Sequence, residues 1–496
     1  MDNEEKKYYF DLKHVPLESE REENRIKRGK MIRKIISYLF VLLIGIALGL
    51  ALYTRIYVPD KNDPSTTIKE LENYFSKEWL YRADYEDLKT TLEDKAFYGM
   101  TTFDEDPYTS FMSKKEMQEF ATSINRDYVG IGVSYTSEHG IPIVVRVFKD
   151  SPAEKAGLLP GDLIIKVDGI EMNEETIENI KEYVTGESGT EVIISVQRGS
   201  EFLDISVIRA AINSSVYSYV EDDYVYLKID SFGLYTADEI EANIGEYTDY
   251  HKLIIDLRDD TGGYQSAVRD CLRLFIGANK QYLLQEDVNG VRKYDYTREG
   301  TTFTNFDKIA IITNDHTASA AEVFALVMKE EVEGTTLVGE TTFGKGVIQT
   351  NKQLSNGGVL KLTTYYWYSP KGTSINNEGV KPDYEVKMPS VYYEYYTIMD
   401  EDEKYEYDSV SSYVRISQIS LDYLDYELER QDGYFDKSFE EALKKFQADN
   451  NLEVNGVLDE VTYNAIISKT RFELTSNDDK DTQLAKAVEV LHEDWS

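Results

Sequence analysis

The sequence predicts a multidomain α+β chain with one membrane-spanning helix, a β-rich domain, a mixed α/β core and a small helical domain at the C-terminal end. At 496 residues it is too long for one ordinary domain. Residues 35–54 form an uncharged apolar run that can cross a bilayer at ~1.5 Å per residue. After this run, short strand-like segments give way to strands that alternate with helices, and finally to helices alone.

Composition limits the classes of protein that need to be considered. Hydrophobic residues make up 41% of the chain, which is enough to build several cores. The formal net charge of −37 argues against a nucleic-acid partner, because phosphate binding requires clustered lysine and arginine. The single cysteine, Cys271, excludes an intramolecular disulfide framework and any metal site built from several cysteines.

The apolar run at 35–54, "IISYLFVLLIGIALGLALYT", is interpreted as a single transmembrane helix and an uncleaved anchor. Residues 21–34 before it contain seven lysines and arginines, so residues 1–34 are predicted to be a cytoplasmic tail and residues 55–496 to lie outside the cell. A cleaved signal peptide is the alternative. The length of the run, and the lack of a small-residue cleavage site after it, favour the anchor.

A helical N-terminal part of the exported region is predicted at 65–120. Within it, residues 65–97 carry apolar positions three and four apart among charged ones, which is typical of two amphipathic helices. A packing or pairing arm is the function that this pattern favours.

Residues 121–212 contain short β-type runs and two motifs. In "SPAEKAGLLPGDLIIKVDGIEM", residues 151–172, Ser151 caps a short helix that Gly157 can close. Together with "YVGIGVSY" at 128–135, this pattern resembles a PDZ domain. The resemblance implies that a peptide's terminal carboxylate binds to the backbone N–H groups of a glycine-containing loop, and that the peptide adds to a sheet edge as a strand. The residues expected at that loop are Tyr128, Val129, Gly130, Ile131, Gly132 and Val133.

Residues 213–390 show strands that alternate with helical stretches, which predicts a mixed α/β core. In this core the apolar run "KIAIIT" is followed by "TASAAEVF". Ser319 is therefore expected to lie between the end of a strand and the start of a helix. Backbone N–H groups at such a helix start have no partner within the helix and can stabilise an oxyanion. Ser319 is therefore the candidate nucleophile.

Two residues are candidates for the base that takes a proton from Ser319. His316 lies three residues before the serine, an offset that does not readily aim an imidazole at the hydroxyl, although a Ser-His-Asp triad stays open as an alternative. Lys345 lies between two glycines in "GETTFGKGVIQT", residues 339–350. To accept a proton, its pKa must fall from ~10.4 toward neutrality through burial.

Gln349 is expected to orient the amine of Lys345. Four residues of ideal strand would separate the two by ~13 Å, so the strand must bend or the side chains must reach toward each other. A second glycine pair, Gly262 and Gly263, follows the buried strand in "IIDLRDDTGG". Together with Ala320, this pair is the candidate oxyanion hole; a simple Gly-Gly turn is the alternative.

The motifs "DLRDDTGG", "TASAAE" and "TFGKGVIQ", in this order and after a PDZ-like segment, resemble the C-terminal processing (tail-specific) peptidases. "FDEDPYTSFM" at 103–112 is similar to a short motif of the same family. The resemblance implies a serine endopeptidase with Ser319 as nucleophile, Lys345 as general base and Gln349 as the assisting residue, without metal or organic cofactor. The chain departs from the family pattern at Asp260, where asparagine is frequent, and at Ala321, where a serine is.

The C-terminal region is divided into an acidic, Tyr-rich linker at 391–412, a small helical domain at 413–470 and a tail at 471–496. The motif "GYFD…ALKKFQ" and the following glycine loop resemble the three-helix peptidoglycan-binding domain. The resemblance implies contact with the cell wall; a helical bundle that only packs on the peptidase is the alternative.

Together, these features predict a membrane-anchored extracytoplasmic serine endopeptidase that acts through an acyl-enzyme on proteins with accessible C-termini. A catalytically silent wall-binding scaffold or sensor, built from the same domains, is the competing hypothesis. The resemblance also suggests that helices within 65–97 pair two subunits.

Overall fold

The computed structural model describes residues 18–57, 64–125, 128–136, 142–173, 176–199, 201–212, 215–396, 399–400 and 402–493. Residues 1–17 of the predicted cytoplasmic tail lie outside these ranges. The chain divides into two compact units, Met1–Met100 and Thr101–Ser496.

The first unit is helical. Its helices are α1 (Glu18–Tyr57), α2 (Pro64–Glu78) and α3 (Leu88–Thr101). By length and composition, the segment Arg21–Tyr53 of α1 is able to cross a membrane. Helix α2 carries Ile68, Leu71 and Tyr74 exposed at helical spacing, so one of its faces is apolar.

The second unit begins with a strand and a helix and continues into the β-rich domain. Its first elements are β1 (Ser110–Met112), α4 (Lys114–Asn125), β2 (Tyr128–Gly130), β3 (Val133–Thr136), β4 (Ile143–Val147), α5 (Pro152–Ala156), β5 (Leu163–Val167), β6 (Ile170–Glu171), α6 (Ile180–Val184), β7 (Glu191–Arg198), β8 (Glu201–Ile208) and β9 (Ala210–Ile212). The main sheet of the domain has the order β3-β4-β5-β7-β8, with β6 on β5, while β2 pairs with β9. This order makes β3 an edge strand.

The α/β core follows in the chain. Its elements are β10 (Val216–Glu221), β11 (Tyr224–Ile229), α7 (Thr236–Ile244), β12 (Lys252–Asp256), α8 (Gln265–Ile276), β13 (Gln281–Asp287), β14 (Arg292–Tyr296), β15 (Lys308–Thr313), α9 (Ala320–Glu331), β16 (Thr335–Gly339), β17 (Val347–Gln353), β18 (Val359–Tyr368) and β19 (Tyr384–Glu385).

Two sheets form this core. The first has the order β10-β11-β12-β15-β16-β19, and its strands from β11 to β19 run parallel. The second is antiparallel, with the order β1-β18-β13-β14 and β17 paired to β18. Strands β11, β12 and β15 are buried along nearly their whole length, as expected for parallel strands covered on both faces.

The helical domain completes the chain. Its elements are β20 (Lys404–Tyr405), α10 (Ser412–Tyr423), α11 (Lys437–Asp449), β21 (Leu458–Asp459), α12 (Glu460–Ser476) and α13 (Thr482–His492). The predicted linker at 391–412 is in part integral to this domain, because Tyr396 and Met399 are buried in its core and β20 pairs with β21. Of its tyrosines, Tyr396 is buried in this core and Tyr405 packs against it, which an acidic composition alone does not reveal.

The predicted tail at 471–496 is also structured. Helix α13 packs on the face of the parallel sheet opposite to α7, α8 and α9, where Leu484, Ala487, Val490 and Leu491 join a buried cluster of the sheet. Arg258, next to the end of β12, fixes the start of α13 through an ion pair of 2.7 Å with Asp481.

The β-rich domain contacts both neighbouring parts of the second unit. Ile143 and Leu163 belong to the core of the helical domain. On the side of the α/β core, the guanidinium of Arg146 donates to both carboxylate oxygens of Asp230 and lies 5.2 Å from the centroid of the Tyr217 ring.

Candidate active site

Ser319 lies at the tight turn between β15 and α9, as the sequence predicts. Its backbone has φ 57° and ψ −115°, in the region that side chains other than glycine rarely adopt. The turn is held from both sides: the N–H of Ala318 donates to the carbonyl of Asp260 at 2.9 Å, and the N–H of Val323 donates to the carbonyl of Ser319 at 3.0 Å. Strain held in place by its surroundings in this way is typical of a functional residue.

Gly262 approaches this turn closely. A Cβ atom on Gly262, whose φ is +99°, would lie 2.8 Å from Ser319 Cβ and 2.8 Å from the nitrogen of Ala320. Only glycine fits there. The N–H of Gly262 donates to Asp260 Oδ1 at 2.8 Å, so it is engaged within its own loop and not directed at a substrate. Gly263 lies beside Phe232, to which it forms an isolated parallel bridge.

Glu322, on the first turn of α9, connects the serine turn to the lysine loop. Its side chain is fully buried. Oε2 accepts from the N–H of Ser319 at 2.7 Å and from the N–H of Lys345 at 2.9 Å. Oε1 accepts from Thr342 Oγ1 at 2.6 Å and from the N–H of Gly344 at 2.6 Å. One carboxylate therefore fixes the backbones of both Ser319 and Lys345.

Burial raises the pKa of Glu322 above its ordinary value, while the four hydrogen bonds act in the opposite direction. Each oxygen accepts two donors, an arrangement that only the ionised form can satisfy completely. The four hydrogen bonds therefore favour the ionised form of Glu322, and burial opposes it.

Lys345 precedes β17 and is partly buried. Gly344 has φ +90°, and a Cβ on Gly346 would lie 2.4 Å from Asn376 Cβ, so the two glycines let a neighbouring loop approach closely. Trp367 Nε1 donates to the carbonyl of Lys345 at 2.8 Å. The ammonium lies 4.9 Å from the centroid of the Tyr108 ring.

The protonation of Lys345 is the main electrostatic feature of the site. Burial lowers its pKa to about 8; the charge of Lys361 acts in the same direction and the carboxylate of Glu322 acts against it. A lysine with this pKa is neutral in an appreciable fraction of molecules near neutral pH. It meets the requirement for a general base.

Gln349 lies on β17, where the pairing with β18 shifts by a β-bulge between Ile348 and Gln349. A bulge of this kind bends a strand locally. Gln349 Nε2 donates to Thr363 Oγ1 at 3.2 Å, and Thr363 Oγ1 donates to Asp106 Oδ1 at 3.0 Å. The segment 103–112 is thus connected to Gln349 through Asp106 and Thr363.

A cavity of about 260 Å³ brings these residues together. Its lining includes the predicted residues Ser319, Lys345, Gln349, Gly262, Gly263 and Ala320. Apolar side chains such as Val268, Leu283 and Trp367 form another part of the wall. Within the described part of the chain, no hydrogen bond joins Ser319 Oγ to Lys345 Nζ, whose side chain lies over Tyr108.

His316 does not line the cavity. Its ring is exposed, and Nδ1 lies 3.2 Å from Asp259 Oδ1. The hydrogen bond with Asp259 raises the pKa of this histidine. The imidazole is thus engaged with a carboxylate at the surface, away from the serine hydroxyl.

Three contributors were missed by reasoning from the sequence: Glu322, Tyr108 and Lys361. The first two lie inside quoted motifs, "TASAAE" and "FDEDPYTSFM", and the serine–glutamate spacing of a capping box is a signal for Glu322. Lys361 reaches the cavity only through strand pairing, and no local pattern indicates it.

The glycine loop of the β-rich domain, residues 128–133, is closely packed against its surroundings. Ile131 is buried in the domain core. Gly132 has φ +82°, and a Cβ there would lie 2.4 Å from Ser151 Cβ, so the loop is pressed against the start of α5. The backbones of Tyr128, Val129 and Gly130 pair with β9, and Val133 begins β3.

Comparison with known proteins agrees with this architecture. The model of Peptidase family S41 matches residues 223–386, that of the PDZ domain residues 143–198, and that of a putative peptidoglycan binding domain residues 411–466.

Similar proteins occur in bacteria. The chain is 32% identical to the carboxy-terminal processing protease CtpA of Bacillus subtilis over 408 residues, covering 81% of this chain and 85% of that protein. It is 30% identical to a probable CtpA-like serine protease of Staphylococcus haemolyticus over 392 residues, covering 78% of each. Among solved structures, the photosystem II D1 C-terminal processing protease is similar with a TM-score of 0.42 and 24% identity, over 69% of this chain and 92% of that one.

The match over most of both chains, with the three domains in the predicted order, identifies the family. The chain belongs to the carboxy-terminal processing proteases of peptidase family S41, and it is a serine peptidase that carries a PDZ domain and a peptidoglycan-binding domain.

Proposed function

We propose that this protein is a membrane-anchored, extracytoplasmic endopeptidase that captures proteins by their C-termini and cleaves them with a Ser319–Lys345 pair assisted by Gln349. The observation that carries the proposal is the shared cavity, which is lined both by a strained serine at a helix start and by a partly buried lysine whose pKa is about 8. Acyl transfer needs a nucleophile and a base of this kind.

In the proposed reaction, neutral Lys345 accepts the proton of Ser319 as the oxygen attacks the substrate carbonyl. The ammonium then gives that proton to the leaving amine, and the acyl group stays on Ser319. A water molecule, deprotonated by Lys345, attacks the ester and releases the acid and the free serine. Rotation of the Lys345 side chain from Tyr108 toward Ser319 is required, and Gln349 is proposed to hold the amine there.

The tetrahedral oxygen is proposed to bind at the start of α9. The N–H of Ala320 belongs to the first turn of this helix, where the partial positive charge of the helix is largest. Gly263 is proposed as the second donor. Gly262 contributes by allowing the close approach of the two loops, because its own N–H is bound to Asp260.

Substrate capture is assigned to the PDZ domain. The loop from Val129 to Val133 is proposed to bind the terminal carboxylate, with Tyr128 beside it. Strand β3 lies at the edge of its sheet and pairs with β4 on one side, so a peptide strand can add to the other side.

The proposals on location and assembly concern helix α1, helix α2 and the C-terminal domain. Helix α1 is proposed to anchor the protein, with residues 55–496 outside the membrane. The C-terminal domain is proposed to bind peptidoglycan in addition to packing on the PDZ domain through Ile143 and Leu163. The exposed apolar face of α2 is proposed to pair two subunits.

A serine-reactive probe tests the catalytic proposal directly. A fluorophosphonate is expected to label Ser319, and the labelling rate is expected to rise with pH to half its maximum near pH 8, because only the neutral form of Lys345 accepts the proton. Mass spectrometry of the labelled peptide identifies the site. A chain that stays unlabelled over the whole pH range would instead be the non-catalytic scaffold.

The Ser-His alternative makes the opposite prediction for His316. Because His316 is exposed and paired with Asp259, His316→Ala is expected to change kcat/KM less than about threefold at pH 8. The measurement is cleavage of an unfolded model protein with a free C-terminus. Loss of activity comparable to that of a Ser319 variant would return the imidazole to the role of base.

A further inference from the structure

The catalytic cavity is cationic although the protein is strongly acidic. Two lysines, Lys345 and Lys361, contribute to its wall. None of the lining side chains that the structure describes is a carboxylate. In a chain with a net charge of −37, such a wall requires an explanation.

Lys361 is built into this wall by the antiparallel sheet. On β18 it pairs with Asn351 of β17 and with Ser110 of β1, two residues from the pair of Gln349 and Thr363. Because side chains two residues apart in a strand share a face, Lys361 projects on the same side as Thr363. Its ammonium lies 5.2 Å from the centroid of the Phe120 ring.

The two lysines have matching surroundings. Each ammonium lies over an aromatic ring, each is partly buried, and within the described residues neither forms an ion pair with a carboxylate. Burial lowers the pKa of Lys361, while burial and the charge of Lys361 together lower that of Lys345. Both ammonium groups therefore lose their protons more easily than an exposed lysine does.

We propose that Lys361 is a positioning residue for catalysis: its positive charge in the shared cavity increases the fraction of Lys345 in the neutral form that can accept a proton from Ser319. The proposal rests on the Ser–Lys function proposed above. Two like charges in a partly desolvated cavity repel strongly, so one of the two amines loses its proton more easily.

The other titratable groups near Lys345 are either engaged in hydrogen bonds or neutral. Glu322 favours the protonated amine, but its carboxylate is already shared among four donors. Tyr108 presents its ring face, and burial raises the pKa of its hydroxyl, which keeps it neutral. Asp106 is bound to Thr109 and Thr363. Tyr264 is neutral as well, since burial raises its pKa. Lys361 is thus the group that opposes the proton on Lys345.

The test is the pH dependence of Ser319 labelling by phenylmethylsulfonyl fluoride, a small uncharged probe that makes no demand on substrate binding. In Lys361→Met, the midpoint of the labelling rate is expected to move to higher pH, and the rate at pH 7 is expected to fall about three- to tenfold. The deficit should shrink as the pH rises. Lys361→Arg retains the charge and is expected to retain the wild-type midpoint.

Lys352→Met serves as the matched control, because Lys352 is an exposed lysine on β17. If Lys361→Met does not fold, Lys361→Gln provides a second neutral variant, with thermal melting as the check of folding. An unchanged midpoint in the neutral variants, while Lys345→Met abolishes labelling, would overturn the role of Lys361 and leave the Ser–Lys function intact. Wild-type labelling in Lys345→Met would instead overturn the proposed function itself.

Discussion

Replacing Ser319 by alanine is expected to lower kcat/KM for an unfolded model protein by about 10⁴-fold or more. The reason is that Ser319 is the proposed nucleophile of the covalent step and alanine has no hydroxyl to replace it. Lys345→Ala is expected to cause a loss of the same order, since the serine then has no base. Both variants should melt within a few degrees of the wild type, because the backbone N–H groups of both residues still donate to the buried carboxylate of Glu322.

The double variant makes this prediction sharper. Residues that act as one unit are not additive, so Ser319→Ala combined with Lys345→Ala is expected to be no less active than either single variant. Lys352→Ala, at an exposed position on β17, should retain full activity. Additive losses in the double variant, or substantial turnover by Ser319→Ala, would exclude a Ser–Lys dyad.

Glu322→Gln is expected to lower kcat by about 10²-fold, although Glu322 is not proposed to touch the substrate. An amide presents N–H groups where Oε1 or Oε2 now accepts two donors, so two of the four hydrogen bonds are lost. The backbones of Ser319 and Lys345 then shift relative to each other. Each buried N–H left without an acceptor also lowers the free energy of unfolding by about 1–3 kcal/mol.

The control for Glu322 lies on the same helix. Glu330 accepts from Ser369 Oγ at 2.9 Å and from Thr373 Oγ1 at 2.8 Å, and so holds a loop away from the cavity. Glu330→Gln is expected to lower the melting temperature without a comparable fall in kcat. Equal effects of the two substitutions on kcat would reduce Glu322 to a purely structural residue.

The local motifs of the site can be predicted from the sequence, whereas the contacts between these motifs cannot. The strand-to-helix transition at Ser319 is predicted by local patterns alone, because apolar periodicity ends where the helix-start residues begin. The glycines around Lys345 similarly predict close backbone approach, which Gly344 and Gly346 show. These predictions depend on the properties of neighbouring residues, so a sequence is sufficient for them.

What was missed depends on distant parts of the chain. The reach of Glu322 to the loop before Lys345 requires the relative placement of α9 and β17, and Lys361 enters the cavity through the pairing of β17 with β18. The linker prediction at 391–412 was wrong in part for a related reason. Tyrosine has an apolar ring and a polar tip, so a Tyr-rich acidic stretch can cover a core as well as lie in solvent.

The packing of α13 on the parallel sheet has a consequence for the order of maturation. Strands β11, β12 and β15 are synthesised well before α13, which covers one of their two faces. Until α13 has formed, that apolar face of the sheet stays exposed to solvent. The sheet that positions the catalytic residues is therefore completed late in folding.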